Sequence, residues 1–428
     1  MIHQELQQRE REGRALRIAS TGAEWMGTGF VTAMNHVSGM EIVVLADPEP
    51  GRAARALERQ GRRRPEEIVE TTDPAQADEA IRAGKVVATT DITLGGAVEQ
   101  IDLVTDVTPS PASGAATAEA ALKAGKDVVL INIETDVTVG PALKRLAAST
   151  DALYSVSSGD EPGCLMELWD FVQTLGYEPI VIGKGKNNPL NPAANPDTVR
   201  AAAEKAGMDP ATVASYVDGT KTMFEMTCVA NATGCRPMQP GMKGPEADLN
   251  TVSQVFALEA DGGMTSFPGA VDFVQGSAMS GGVFITVRVQ DERIAGDLNY
   301  LKVGSGNYFT FFRPYHLWFL EAPISLARAA LHREPTLVPL DERVAEVATV
   351  AKRDLSPGDV LGGFGSYDFF GRMYTASDYR GMGVLPVGLA PGARVTKAVK
   401  EGDMVTWDAV ELDEESAVVR LRRELESG

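Results

Sequence analysis

The sequence predicts an α/β protein: a doubly wound parallel sheet first, then an α+β substrate domain, then a small all-β domain. Three observations predict it. Short apolar runs alternate with Ala- and Glu-rich stretches through residues 15–150. A glycine-rich segment separates the first run from the first helical stretch. Beyond residue 150, glycine, asparagine and proline become frequent among the strand candidates. Strand–helix alternation is the pattern of a parallel sheet with helices on both faces.

The elements follow in order. Leu16–Ala19 is a short apolar run, Thr21–Gly29 is the turn, and Phe30–His36 continues as a helix. Glu41–Ala46 (EIVVLA) is apolar on both faces, as a strand covered by helices requires. Further strands are expected at Val86–Ala88, Leu103–Val107 and Val128–Asn132, with Ala115–Ala124 as a helix between them. The stretch Arg52–Val87 is long for one crossover and polar (GRRRPEE), and reads as a solvated insertion. GKGKNNPLNP (183–192) and CRPMQPGMKGP (235–245) read as polar loops, and Val283–Val289 as a strand. Pro323–His332 is Ala-rich and helical, and is expected to pack back on the first domain. Residues 343–428 hold two similar pieces, AKRDLSPGDVL (351–361) and VTKAVKEGDMVTWDAV (395–410), each read as strand, glycine turn and strand. The expected domains are therefore 1–150, 151–342 and 343–428.

Composition narrows the function. The 428 residues carry a formal charge of −19, with 44% hydrophobic and 23% charged residues. The acid excess argues against non-specific nucleic-acid binding and against docking on an anionic membrane. No run approaches the ~18 apolar residues of a membrane span. Met1–Arg14 lacks the apolar core of a signal peptide, so the expected compartment is the cytoplasm. Cys164, Cys228 and Cys235 are odd in number, form no CxxC pair and read as buried, inert thiols. Four histidines (His3, His36, His316 and His332) make a zinc site hard to assemble.

Gly22-Ala23-Glu24-Trp25-Met26-Gly27 stands between a strand and a helix, where the dinucleotide fingerprint G-x-G-x-x-G belongs. Gly22 and Gly27 hold the first and third glycine positions, which makes a Rossmann-type domain the expectation. The second position is Glu24, whose carboxylate would crowd and repel a pyrophosphate. Asp47 ends the second strand and suits the ribose hydroxyls of NAD better than the 2′-phosphate of NADP, although nearby Arg52 opposes that preference.

Three segments hold further chemistry. GKGKNNPLN brings Lys184, Lys186, Asn187, Asn188 and Asn191 within nine residues, a set suited to a polyol that carries an anion. In DGTKTMFEM, Asp218, Lys221 and Glu225 share one face if helical: a lysine held by two acids for proton transfer, or an ordinary salt bridge. YFTFFRPYH carries Arg313 as a clamp for carboxylate or phosphate and His316 as a group that titrates near neutrality, or else is a buried strand with a satisfied histidine.

With these residues in view, the chain resembles the reductoisomerase-like proteins related to 1-deoxy-D-xylulose 5-phosphate reductoisomerase. More distantly it is similar to homoserine dehydrogenase, with an added C-terminal SAF-type domain. The resemblance rests on Met26-Gly27-Thr28, NIETDVTVGP (132–141), SGDEP (158–162), GKGKNNPLN (183–191), DGTKTMFEM (218–226), ANATG (230–234) and YFTFFRPYHL (308–317). It implies an NAD(P)-dependent oxidoreductase or oxidoisomerase acting on a small polyhydroxylated anion, a sugar acid or a sugar phosphate. Cofactor contacts are implied for Gly22, Glu24, Trp25, Met26, Gly27, Asp47, Thr108, Asn132 and Glu134. Catalytic roles are implied for Lys221, Asp218, Glu225 and Asp160, and substrate contacts for Lys184, Lys186, Asn187, Asn188, Arg313 and His316. Two departures stand out. Glu24 replaces the glycine of NADP-binding members, and Asp47-Pro48-Glu49 replaces their basic residues, so NAD is favoured. Reductoisomerases hold a divalent metal with an Asp-x-Glu pair; Asp160 and Glu161 are adjacent, and a strand would send them to opposite faces, so a metal has little support. Glu24 also motivates an alternative: a redox-neutral isomerase, lyase or C–C bond-forming enzyme on the same scaffold. The expected partner is a small-molecule substrate, and the expected assembly a homo-oligomer.

Overall fold

A computed structural model describes residues 1–427 and shows an α/β fold. The chain packs as two compact units rather than three consecutive ones. The first contains Met1–Gly163, Leu317–Val338 and Glu414–Gly428; the second contains Cys164–His316 and Pro339–Asp413.

The first unit opens with helix α1 (Ile2–Arg11), then β1 (Leu16–Thr21), α2 (Trp25–Met34), β2 (Met40–Ala46), α3 (Arg52–Arg59), β3 (Ile68–Glu70) and α4 (Pro74–Arg82). It continues through β4 (Val86–Thr89), α5 (Leu94–Ala97), β5 (Leu103–Asp106), α6 (Pro111–Lys123), β6 (Asp127–Leu130), α7 (Ile133–Thr150) and β7 (Tyr154–Val156). The seven strands lie in the order β3-β4-β2-β1-β5-β6-β7, and every pair in this sheet is parallel. The order reverses between β1 and β5, so the crevice at their C-terminal ends is where an open α/β sheet binds a ligand. Leu45, Phe30, Leu57 and Val129 are among the side chains of its core. The stretch Arg52–Val87 is not an insertion. It supplies α3, β3 and α4, and its polarity follows from β3 being a half-exposed edge strand of three residues.

Helix α8 (Glu161–Thr174) leads into the second unit. There follow β8 (Glu178–Lys186), α9 (Pro196–Ala206), α10 (Pro210–Val217), α11 (Thr220–Thr233), β9 (Arg236–Pro237), α12 (Val252–Val255), β10 (Ala270–Gln275), β11 (Val283–Arg288), α13 (Glu292–Tyr300), β12 (Gly304–Ser305) and β13 (Tyr308–Arg313). The strands form a mixed sheet in the order β12-β13-β11-β8-β10-β9. GKGK is therefore not a loop but the end of the long strand β8. Glycines alternate there because a Cβ at Gly183 would collide with the Asp272 carbonyl, and one at Gly185 with the Met279 carbonyl.

Helix α14 (Ala322–His332) returns to the first unit and buries Leu326 and Ala329 in its core, as its Ala-rich pattern predicts. The tail then adds β14 (Ala345–Ala351), β15 (Phe369–Thr375), the short α15 (Ala376–Tyr379), β16 (Arg394–Val395) and β17 (Val410–Glu411) to the second unit. By its contacts it groups with Cys164–His316, and β14 and β15 pack on α11. The two similar pieces meet at the bridge from Leu355 to Val399, and Val360 of the first bridges Arg394 just ahead of the second. Helix α16 (Ala417–Ser427) belongs to the first unit and packs on α6 and α7. Its Arg422 is fully buried and donates to the Thr138 carbonyl at 3.2 Å.

Candidate functional site

In the first unit the chain turns sharply after β1. Gly22 has φ +104°, and a Cβ there would press on Thr108. At Gly27 a Cβ would collide with the Gly22 carbonyl, so strand and helix can meet only without side chains. No side chain caps the start of α2, which leaves its first-turn N–H groups to an anion. Buried Asp47 holds the loop, its Oδ2 accepting from the Ala23 N–H at 2.9 Å and its Oδ1 from the Glu49 N–H at 3.0 Å. Glu24 is exposed and bonds Arg52, Oε1 to Nη1 at 2.7 Å. A cavity of about 290 Å³, lined by Gly51, Ala53, Thr71, Ala88, Thr89 and Thr90 among others, lies at the ends of β3 and β4. The glycine turn, the uncapped helix, the buried acid and this cavity fit a dinucleotide.

Thr108 and Asn132 are tied to one residue that sequence reasoning missed. Asp106, at the end of β5, accepts from the Thr108 N–H at 3.0 Å, the Thr108 hydroxyl at 2.7 Å, the Ser113 hydroxyl at 2.9 Å and the Asn132 amide at 3.0 Å. Burial pushes its carboxyl up to about 6. The available signal was an acid closing the apolar run Leu103–Val107 beside the reversal of strand order. Asn132 serves as the cap of α7, accepting from the Thr135 N–H at 2.9 Å and donating to the Ser110 carbonyl at 2.9 Å. Glu134 is buried in the first turn of α7. Trp25 is exposed, with its ring edge-on to Trp318 at 5.6 Å, and Met26 is half-buried.

In the second unit the chemistry gathers at the end of β8. Lys184 and Lys186 project from the same face of the strand, and both are buried. Lys184 is ion-paired with Glu225 of α11. Lys186 donates to the Tyr216 carbonyl at 2.6 Å. Burial, and then the neighbouring Lys184 charge, bring Lys186 down to about 8. Asn187, exposed, and Asn188, half-buried, follow at the strand's end.

Register carries this row across the sheet, since Lys184 faces Val283 on β11 and Val283 faces Arg313 on β13. Arg313 bonds Glu167 at 3.2 Å and lies 4.7 Å from the centre of the Tyr315 ring. His316 Nδ1 lies 2.8 Å from the Gly281 carbonyl oxygen.

Of the predicted trio, Asp218 does not share a helix with Lys221 and Glu225. Asp218 lies outside α11, as the C-cap of α10. Its Oδ2 bonds buried Lys352 at 2.7 Å, and its Oδ1 accepts from the Thr220 N–H at 2.8 Å. Lys352 also donates to the carbonyls of Ala194 at 2.7 Å and Ser366 at 2.9 Å, so this pair pins local structure. Lys221 is half-buried in the first turn of α11, while Glu225 serves Lys184. Asp160 and Glu161 do not end a strand: Asp160 is buried just before α8, and Glu161 is the first residue of that helix. The three cysteines are buried, none is in a disulfide, and burial pushes Cys235 up to about 11. Among the described residues, no helix is long and apolar enough to cross a membrane.

Residues 159–322 match the family described as oxidoreductase DRL, catalytic domain. The matched stretch contains Asp160, Lys184, Lys186, Lys221, Glu225 and Arg313, so the lysine cluster lies within the stretch that is similar to that domain. No curated protein matches the chain. Among solved structures, a probable dehydrogenase from Thermotoga maritima is 14% identical over 75% of this chain and 90% of its own, with a TM-score of 0.41. The scyllo-inositol dehydrogenase of Lactobacillus casei, solved with NAD(H) and scyllo-inositol, is 13% identical over 76% and 92%, with a TM-score of 0.40. A DOX-P reductoisomerase in complex with magnesium is 15% identical over 50% and 56%, with a TM-score of 0.32.

Proposed function

We propose that the protein is an NAD(P)-dependent oxidoreductase acting on a small polyhydroxylated anion, a sugar acid or a sugar phosphate. The observation that carries this reading is the buried Lys184–Glu225–Lys186 cluster within the stretch that matches an oxidoreductase catalytic domain. Gly22, the start of α2 and Asp47 hold the dinucleotide, which supplies or accepts the hydride when bound. Glu225 holds Lys184 in place through their ion pair, and Lys184 holds the substrate anion. Lys186 exchanges a proton with the reacting oxygen, because at about 8 it is an acid for reduction below that pH and a base for oxidation above it. Asn187 and Asn188 read hydroxyls, and Lys221 adds a second cation. The redox-neutral alternative rested on Glu24 crowding the pyrophosphate; with that carboxylate bonded to Arg52, no observation favours it.

The test is a screen of sugar acids with NAD+ and NADP+, and of their ketones and sugar phosphates with the reduced cofactors, read by nicotinamide absorbance. Turnover that falls by about 10²–10⁴ in Lys186→Met supports the reading. No turnover on any substrate, together with no dinucleotide binding, ends it.

A further inference from the structure

We propose that Glu24 sets the cofactor preference of the first unit: its ion pair keeps Arg52 from a 2′-phosphate, which makes the adenosine end of the site selective for NAD over NADP. This rests on reading the Gly22–Gly27 loop as a dinucleotide site. Arg52 begins α3, between Gly51 and Ala53 of the cavity wall. Its Nη1 lies 2.7 Å from Glu24 and 3.4 Å from Asp47, and its Nη2 donates to Glu49. Arg55 also reaches Glu49, at 3.4 Å. Both terminal nitrogens of Arg52 are thus engaged, and three carboxylates against two guanidiniums leave this rim net negative.

A 2′-phosphate needs the forked donors of a guanidinium and brings close to two further negative charges. Here it would find the fork taken and the rim repulsive. Ribose hydroxyls need only an acceptor, and the Asp47 carboxylate has lone pairs beyond the two N–H groups it already holds. Glu24 is the movable partner, with its side chain 68% exposed against 28% for Arg52. Neutralising it therefore leaves Nη1 with only the longer contact to Asp47, while Glu49 still holds Nη2 in place. The residue that breaks the glycine pattern acts as a selector and not as a plug.

Calorimetric titration of wild type, Glu24→Gln and Glu24→Gln/Arg52→Met with NAD+, NADP+, AMP and 2′,5′-ADP tests this. The wild type is expected to bind NAD+ more tightly than NADP+. Glu24→Gln is expected to gain about tenfold for NADP+ and 2′,5′-ADP, and the double variant to lose that gain. Equal or tighter binding of NADP+ by the wild type overturns the inference, as does a gain that survives Arg52→Met. In both cases the dinucleotide reading stands, because nucleotide is bound. If no variant binds any of the four probes, that reading falls and the inference with it.

Discussion

At the residue scale the site turns on Lys186, whose surroundings predict its behaviour with sign. Lys184 lowers its pKa, whereas Glu225 and Asp218 raise it. In the oxidation direction, kcat/KM is expected to climb with pH and level off above about 8. Lys184→Met should move that limb up, and Glu225→Gln should move it down, by roughly half to one pH unit each. Opposite shifts, read from pH–rate profiles, would show that another group carries the limb. Asp106 has a different signature. Its carboxyl is raised in the folded protein to about 6, so the stability it lends is full below its ordinary value and is lost as pH rises through about 6. Asp106→Asn keeps an acceptor for Thr108 and Asn132 without the charge. Its melting temperature is therefore expected to exceed wild type by a few degrees at pH 7.5 and to match it at pH 4.5. Lys184 and Glu225 were both visible in the sequence, but local spacing pairs Glu225 with Lys221. Glu225 also bonds Lys184, which lies 41 residues away, and no periodicity reports a contact of that range.

At the scale of elements, the junction between α10 and α11 depends on the ion pair of Asp218 with Lys352. Lys352→Met strands a buried carboxylate and is expected to cost about 3–5 kcal/mol in urea unfolding. The double variant Asp218→Asn/Lys352→Met removes both charges and should recover much of that loss, with turnover per folded molecule retained. Loss of turnover in a stable double variant would return Asp218 to the chemistry. The parallel sheet was legible because β2 and its neighbours are apolar on both faces. Strand β3 was not, since three half-exposed residues carry no alternation to detect. The end of β8 was misread for a physical reason: glycine and lysine disfavour strands, yet close carbonyls on one side and a buried acid on the other demand both.

At the scale of the whole molecule, the chain leaves the first unit after Gly163, returns for Leu317–Val338, leaves again and closes with α16. Deleting residues 414–428 uncovers α6 and α7 where Val418, Val419 and Leu421 are buried. At roughly 1.5–3 kcal/mol per side chain, the loss is expected to exceed 4 kcal/mol and to appear as a lower melting temperature or insoluble protein. Unchanged melting would mean that α16 contributes nothing to the first unit. The domain plan read from composition missed this weaving because composition records where the chain changes character, not where it comes back.

The same weaving imposes an order in time. About 250 residues separate the end of the first segment from the start of α16. At 5–20 residues per second, a ribosome needs roughly 12 to 50 seconds to make them. Throughout that interval the nascent sheet has all seven strands, but the face that Arg422 will seal on α7 stays open to water and to chaperones. Helix α16, made only after that interval, is the one that ends this exposure.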